Sequence, residues 1–133
     1  MGTPLLIQPI KIRDVRLKNR IVVAPMHQYA AVKGYPTDWH LMNVGRFAAG
    51  GAGLVFIEST KVERRGCGTA GDTGLWADIY IDHFKRLADF IRSQNSIPAI
   101  QLVHTVRKPR RFRPWAFSPP LPAYVALTHL CYA

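Results

Sequence analysis

GAGLVFIE, residues 51–58, decides the architecture of this chain. Leu54 to Ile57 are four apolar residues in a row, entered from glycine and closed by Glu58. An uninterrupted apolar run of this length predicts a strand covered on both faces, as in parallel sheets. Working outward, Thr37 stands at an N-cap position with Asp38 in the first turn, and predicts a helix to about Ala49 that Gly50-Gly51 ends. Before it, Ile21 to Ala24 is a second buried strand, stopped at Pro25, which has no backbone N–H. After the central strand comes a glycine-rich loop, GCGTAGDTG. Asp78 is then placed to cap a second helix running to about Gln94. Its apolar residues Phe84, Leu87, Ala88 and Ile91 share one face, and Asn95 can end it. Ile97 to Leu102 is a third strand. Two short alternating pieces, Ile10 to Asp14 and Val15 to Lys18, predict a hairpin ahead of all this. Hairpin, then β-α-β-α-β, is an α/β order with parallel strands covered by helices.

In such folds ligands gather at the carboxyl ends of the strands. Strand one ends in Pro25, Met26, His27, Gln28 and Tyr29; strand two in Glu58, Ser59 and Thr60; strand three in Gln101, His104, Arg107 and Lys108. Each residue has a plain structural reading: strand terminator, core filler, loop-pinning hydrogen bonder. Their concurrence at three successive strand ends is what points to a site. No phosphate-gripping glycine motif is present, and no Cys/His cluster has metal-ligand spacing, so no metal is expected.

The 133 residues carry 18 Lys+Arg, 8 Asp+Glu and a net charge of +10. That charge is uneven. All eight carboxylates lie at or before Asp89, all ten glycines at or before Gly74, and six of ten prolines between Pro98 and Pro122. The composition therefore changes character in the last third of the chain, which ends in a Pro-rich and apolar tail, 116–133. Apolar runs fall far short of the roughly 18 residues of a spanning helix. No secretory signal is visible, and Cys67 and Cys131 make no disulfide framework, so a reducing cytoplasm is the expected compartment and no membrane association is expected.

Five motifs, LKNRIVVAPMHQY (17–29), TDWHL (37–41), GAGLVFIE (51–58), GLWADIYIDHFKRLADFI (74–91) and IQLVHTVRK (100–108), resemble the old yellow enzyme family of NADH:flavin oxidoreductases, especially its bacterial and fungal ene-reductases. The resemblance implies the N-terminal part of a (β/α)8 barrel, with the hairpin at the barrel bottom. It implies FMN as cofactor, NAD(P)H as reductant and a small enone-type substrate. By position, Ala24, Pro25, Met26 and His27 match the segment against the flavin ring. Ser59 matches a flavin contact, and Gln101 the amide that pairs with the pyrimidine edge. Tyr29 and Lys108 match substrate-side positions, and Trp76 a structural loop aromatic. No residue here is certain to be catalytic, because the family's carbonyl-binding, proton-donating and phosphate-holding groups come from later strands.

The chain departs from the family pattern in three places. His27 replaces a common cysteine, Thr105-Val106 replace a small pair, and 116–133 replace an acidic, glycine-containing loop. Three strands of eight predict an incomplete barrel with weak or no activity alone, whose open edges self-association or the remainder of the barrel could cover. The alternative reading is a basic binding module. RKPRRFRPW (107–115) interleaves cations with Phe112 and Trp115 and could meet nucleic acid or an anionic surface. The family often carries such a segment, so no nucleic acid is expected.

Overall fold

A computed structural model describes residues 2–105. The boundary expected at 115/116, Lys108 and the basic segment 107–115 lie outside the described residues. Strands β1 (Ile10–Ile12) and β2 (Val15–Leu17) form the antiparallel hairpin, with Ile12 opposite Val15. Strand β3 (Val22–Val23), helix α1 (Asp38–Ala49), strands β4 (Leu54–Lys61) and β5 (Thr73–Gly74), helix α2 (Ile81–Ser93) and strand β6 (Ile97–Val103) follow. β4 is the centre of the sheet. It pairs in parallel with β3 and β6, and its last two residues pair with β5.

The helices cover one face of the sheet. Val55 and Ile57 of β4 meet Val44 and Ala48 of α1 and Phe84, Leu87 and Ile91 of α2, all buried. Each of the larger side chains contributes roughly 1.5–3 kcal/mol on leaving water, which anchors both helices on the strands. The face predicted for α2 is therefore the buried one. Its Ala88 is half-buried at the margin. Asn95, in the left-handed region at φ 55°, turns the chain out of α2 into β6.

The hairpin docks at the amino ends of the parallel strands. Lys18 Nζ donates to the Gln94 carbonyl at 2.8 Å, and Asn19 Nδ2 to the Gly51 carbonyl at 2.7 Å. Gly53 runs so close to Asn19 that a Cβ there would lie 2.5 Å from its carbonyl oxygen, so only glycine permits this contact.

Three sequence expectations change. The first strand is ladder-paired only at Val22–Val23, and Val22 is 51% exposed, so it is not buried on both faces. The second strand continues past Glu58 to Lys61, because β6 and β5 extend its pairing. Asp78 opens a 3₁₀ turn, Asp78–Tyr80, and α2 starts after it at Ile81.

Candidate active site

A bulge in β4 builds the site. Ile57 pairs with Ile100, whereas Ser59 pairs with Gln101, so Glu58 is an extra residue in the ladder. Strand side chains alternate in direction, and one inserted residue resets that alternation. Glu58 consequently shares the helix side with Ile57, while Ser59 and Lys61 turn to the opposite face.

On the helix side, Glu58 is buried with its Oε1 3.2 Å from His40 Nε2. His40 Nδ1 accepts the Thr37 backbone N–H at 2.9 Å, at the start of α1. An imidazole nitrogen that accepts carries no hydrogen, so Nε2 bears the proton and donates to Glu58. Glu58 Oε2 accepts the backbone N–H of Gln28. The Gln28 amide in turn donates to the Met26 carbonyl at 2.7 Å and accepts from Trp39 Nε1 at 3.0 Å. Glu58 thus ties the segment after β3 to both β4 and α1. Ala24 and Met26 line a small cavity of about 40 Å³ beside Gln28, His40 and Glu58.

On the opposite face, at the carboxyl ends of the strands, lies a cleft of about 250 Å³. His27 and Tyr29 form one wall, their rings stacked at 4.0 Å. Ser59 and Lys61 of β4 form its floor with Val103 and Thr105. The glycine-rich loop supplies the far wall through Gly68, Thr69 and Asp72. Asp72, 1% exposed, organises the cleft. Its Oδ1 meets His27 Nε2 at 3.0 Å and accepts from Thr69 Oγ1 at 2.5 Å. Its Oδ2 accepts the Gly68 N–H at 2.7 Å and faces Lys61 Nζ at 3.6 Å. Burial is the largest single influence on this carboxyl and pushes its pKa up. The His27 imidazole 3.0 Å away and the hydrogen bonds from Thr69 and Gly68 outweigh it and hold the pKa at about 2. Asp72 is therefore an anion at neutral pH.

The structure brings His27, Tyr29 and Ser59 together in one cleft and places Ala24 and Met26 at another cavity. Pro25, half-buried between them, lines neither. Gln101 is exposed and lies directly across the ladder from Ser59, two residues before Val103 on the same face of β6. Trp76 packs edge-on to Tyr80 at 5.0 Å and against Gly34 and Gly74, a structural placement. Lys61, Thr69 and Asp72 escaped the sequence reading. Their signal was the loop GCGTAGDTG, whose single acid follows three glycines, but its partners Lys61 and His27 lie 11 and 45 residues away in sequence. Among the described residues, no group of three or more His, Cys, Asp or Glu could hold a metal, and no helix is long and apolar enough to cross a membrane.

Residues 5–112 match the family model described as NADH:flavin oxidoreductase / NADH oxidase. The chain belongs to that family. An NADH:flavin oxidoreductase of Gibberella zeae is 42% identical over 114 residues, covering 86% of this chain and 28% of that protein. An NADPH dehydrogenase of Bacillus cytotoxicus is 40% identical over 105 residues, covering 77% and 30%. Among solved structures, a 2-naphthoyl-CoA reductase superposes with a TM-score of 0.71 at 29% identity, over 76% of this chain and 16% of that one. The old yellow enzyme from Trypanosoma cruzi superposes at 0.68 and 26%, over 76% and 27%. The chain thus spans less than a third of the length of these relatives. These flavin oxidoreductases are (β/α)8 barrels, and the described residues form the first part of one without closing it.

Proposed function

We propose that this chain contributes the first strands of an FMN-dependent, NAD(P)H-driven ene-reductase acting on a small enone-type substrate, in a cytoplasmic setting. One observation carries the reading. Three parallel strands end at one rim, and the cleft there presents hydrogen-bonding groups with unused capacity. Thr105 Oγ1 is buried without a partner among the described residues, and the Gln101 amide is exposed beside Ser59. An amide and two hydroxyls suit a ring edge that alternates carbonyl acceptors with an N–H donor. The residues present therefore fit a flavin, with Ser59, Gln101 and Thr105 on its polar atoms and His27 and Tyr29 at its flank. When bound, FMN would supply the relay of hydride from the reduced nicotinamide to the β-carbon of an electron-poor alkene.

The protein groups do the rest. Glu58 holds the Met26–Gln28 backbone in place. Asp72 lies against His27 Nε2, and Tyr29 stacks on that ring and flanks the space a substrate would enter. The groups that would polarise a substrate carbonyl and deliver a proton are expected from later strands, so the 133-residue chain alone is expected to show little or no turnover. The test is an FMN titration of the purified chain, followed by flavin fluorescence and visible circular dichroism. Saturable one-to-one binding is expected, with a chiral flavin band. A folded chain that leaves the flavin spectrum unchanged would sink the reading. Oxidation of NADH or NADPH with an enone present then measures turnover, and brisk catalysis would overturn the claim of weak activity alone.

A further inference from the structure

Lys61 is an unusual residue to find on the floor of a cleft. Its side chain is 3% exposed, yet lysine seldom leaves water without a task. Asp72 faces it at 3.6 Å and balances its charge. Its Nζ also donates to Ser59 Oγ at 2.6 Å, two residues back on the same face of β4. An ammonium can only donate, so this bond fixes Ser59 Oγ as an acceptor toward Lys61. A serine hydroxyl has one hydrogen, and no acceptor among the described residues takes it. The neighbouring hydroxyl contrasts with it. Thr60, on the other face, donates to the Glu58 carbonyl at 2.9 Å and meets Thr73 Oγ1 at 3.1 Å.

The geometry points to Lys61 as a positioning residue: it occupies one lone pair of Ser59 Oγ and leaves the hydroxyl hydrogen free to donate to whatever occupies the cleft. The site then selects a ring edge that offers an acceptor, a carbonyl oxygen or an imine nitrogen, over one that offers a donor. Asp72 completes the device by anchoring Lys61 from behind and His27 from the side. The inference rests on the flavin reading only for the choice of probe.

Two measurements test it. In the unliganded chain with ¹⁵N-labelled lysine, the buried Lys61 ammonium should give a slowly exchanging signal that shifts in Ser59→Ala. An unshifted signal overturns the arrangement. In the liganded chain, affinities are compared for FMN and for analogues that each replace one ring acceptor, 5-deaza-FMN and 4-thio-FMN. The wild type should bind one analogue about five- to tenfold more weakly than FMN, the worth of one hydrogen bond. Ser59→Ala and Lys61→Met should each shrink that ratio to about one. If Lys61→Met weakens all three ligands equally and keeps the ratio, Lys61 is only structural and the proposal falls. If the wild type binds no flavin, the flavin reading fails by itself, and the ammonium shift alone upholds or overturns the positioning role. That arm needs only Ser59→Ala, so a Lys61→Met chain that does not fold leaves the decision intact.

Discussion

Asp72 and Glu58 are both buried carboxylates at the strand ends, but they are stabilised differently. Asp72 has a folded-state pKa of about 2 against an ordinary 3.8. A depressed folded pKa adds stability that is full above the unfolded value and is lost as pH falls through the folded one. Acid titration should therefore cost the wild type on the order of 1–2 kcal/mol between about pH 4 and pH 2 from this group. Asp72→Asn should flatten that part of the profile in denaturant melts taken across the same range. It should also leave Lys61 unbalanced, so the variant should be the weaker protein at pH 7. Glu58→Ala predicts a larger loss. It strands the His40 Nε2–H and the Gln28 N–H in a buried place, at a cost of about 2–4 kcal/mol. Glu58→Gln keeps an acceptor for one of the two donors in its amide oxygen and should cost less. Equal melting temperatures for the Ala and Gln variants would contradict this account.

At the level of elements, two tight places should respond to a single methyl. A Cβ on Gly71 would run into the backbone carbonyl of Tyr29, where the glycine-rich loop meets the segment after β3. Gly71→Ala should push the two cleft walls apart and cost about 1–3 kcal/mol. The shift should be visible as changed amide signals at both 27–29 and 68–72, while those of α2 stay put. Asn95 sits at φ 55° at the end of α2, a region glycine accepts freely and β-branched residues resist. Asn95→Gly should be close to neutral, and Asn95→Val should lower stability by about 1–2 kcal/mol in thermal melts. The α2 face was legible from Phe84, Leu87 and Ile91, since a 3.6-residue period needs no tertiary knowledge. The end of β4 was not. A bulge at Glu58 leaves no mark in composition, because it is defined by which residues of β6 lie opposite.

At the scale of the whole sheet, β4 is, among the described residues, the one parallel strand flanked on both sides, by β3 and by β6. The outer edges of β3 and β6 have no partner among the described residues, and Val22, Met26 and Leu102 are exposed beside them at 51%, 66% and 56%. Hydrogen exchange should therefore protect the amides of β4 most, with β3 exchanging far sooner. Open parallel edges with apolar neighbours also favour association. The purified chain should show concentration-dependent size by light scattering, and a strictly monomeric profile into the high micromolar range would contradict that expectation.

The sequence by itself determined the order of elements and the side of the sheet where chemistry collects. Apolar runs, helical periods and glycine breaks are local properties, and parallel strands put their carboxyl ends on one rim whatever the details. Its motifs also carried the family resemblance. Only the tertiary structure decided how the rim is wired. It divided the segment after β3 between two cavities, with Met26 on one and His27 on the other. It also drew Asp72 to His27 and Lys61 across 45 and 11 residues. Contacts of that kind form between residues that only folding makes neighbours. A buried charge is tolerable solely when its partner is already in place, so its meaning cannot be read from the chain one segment at a time.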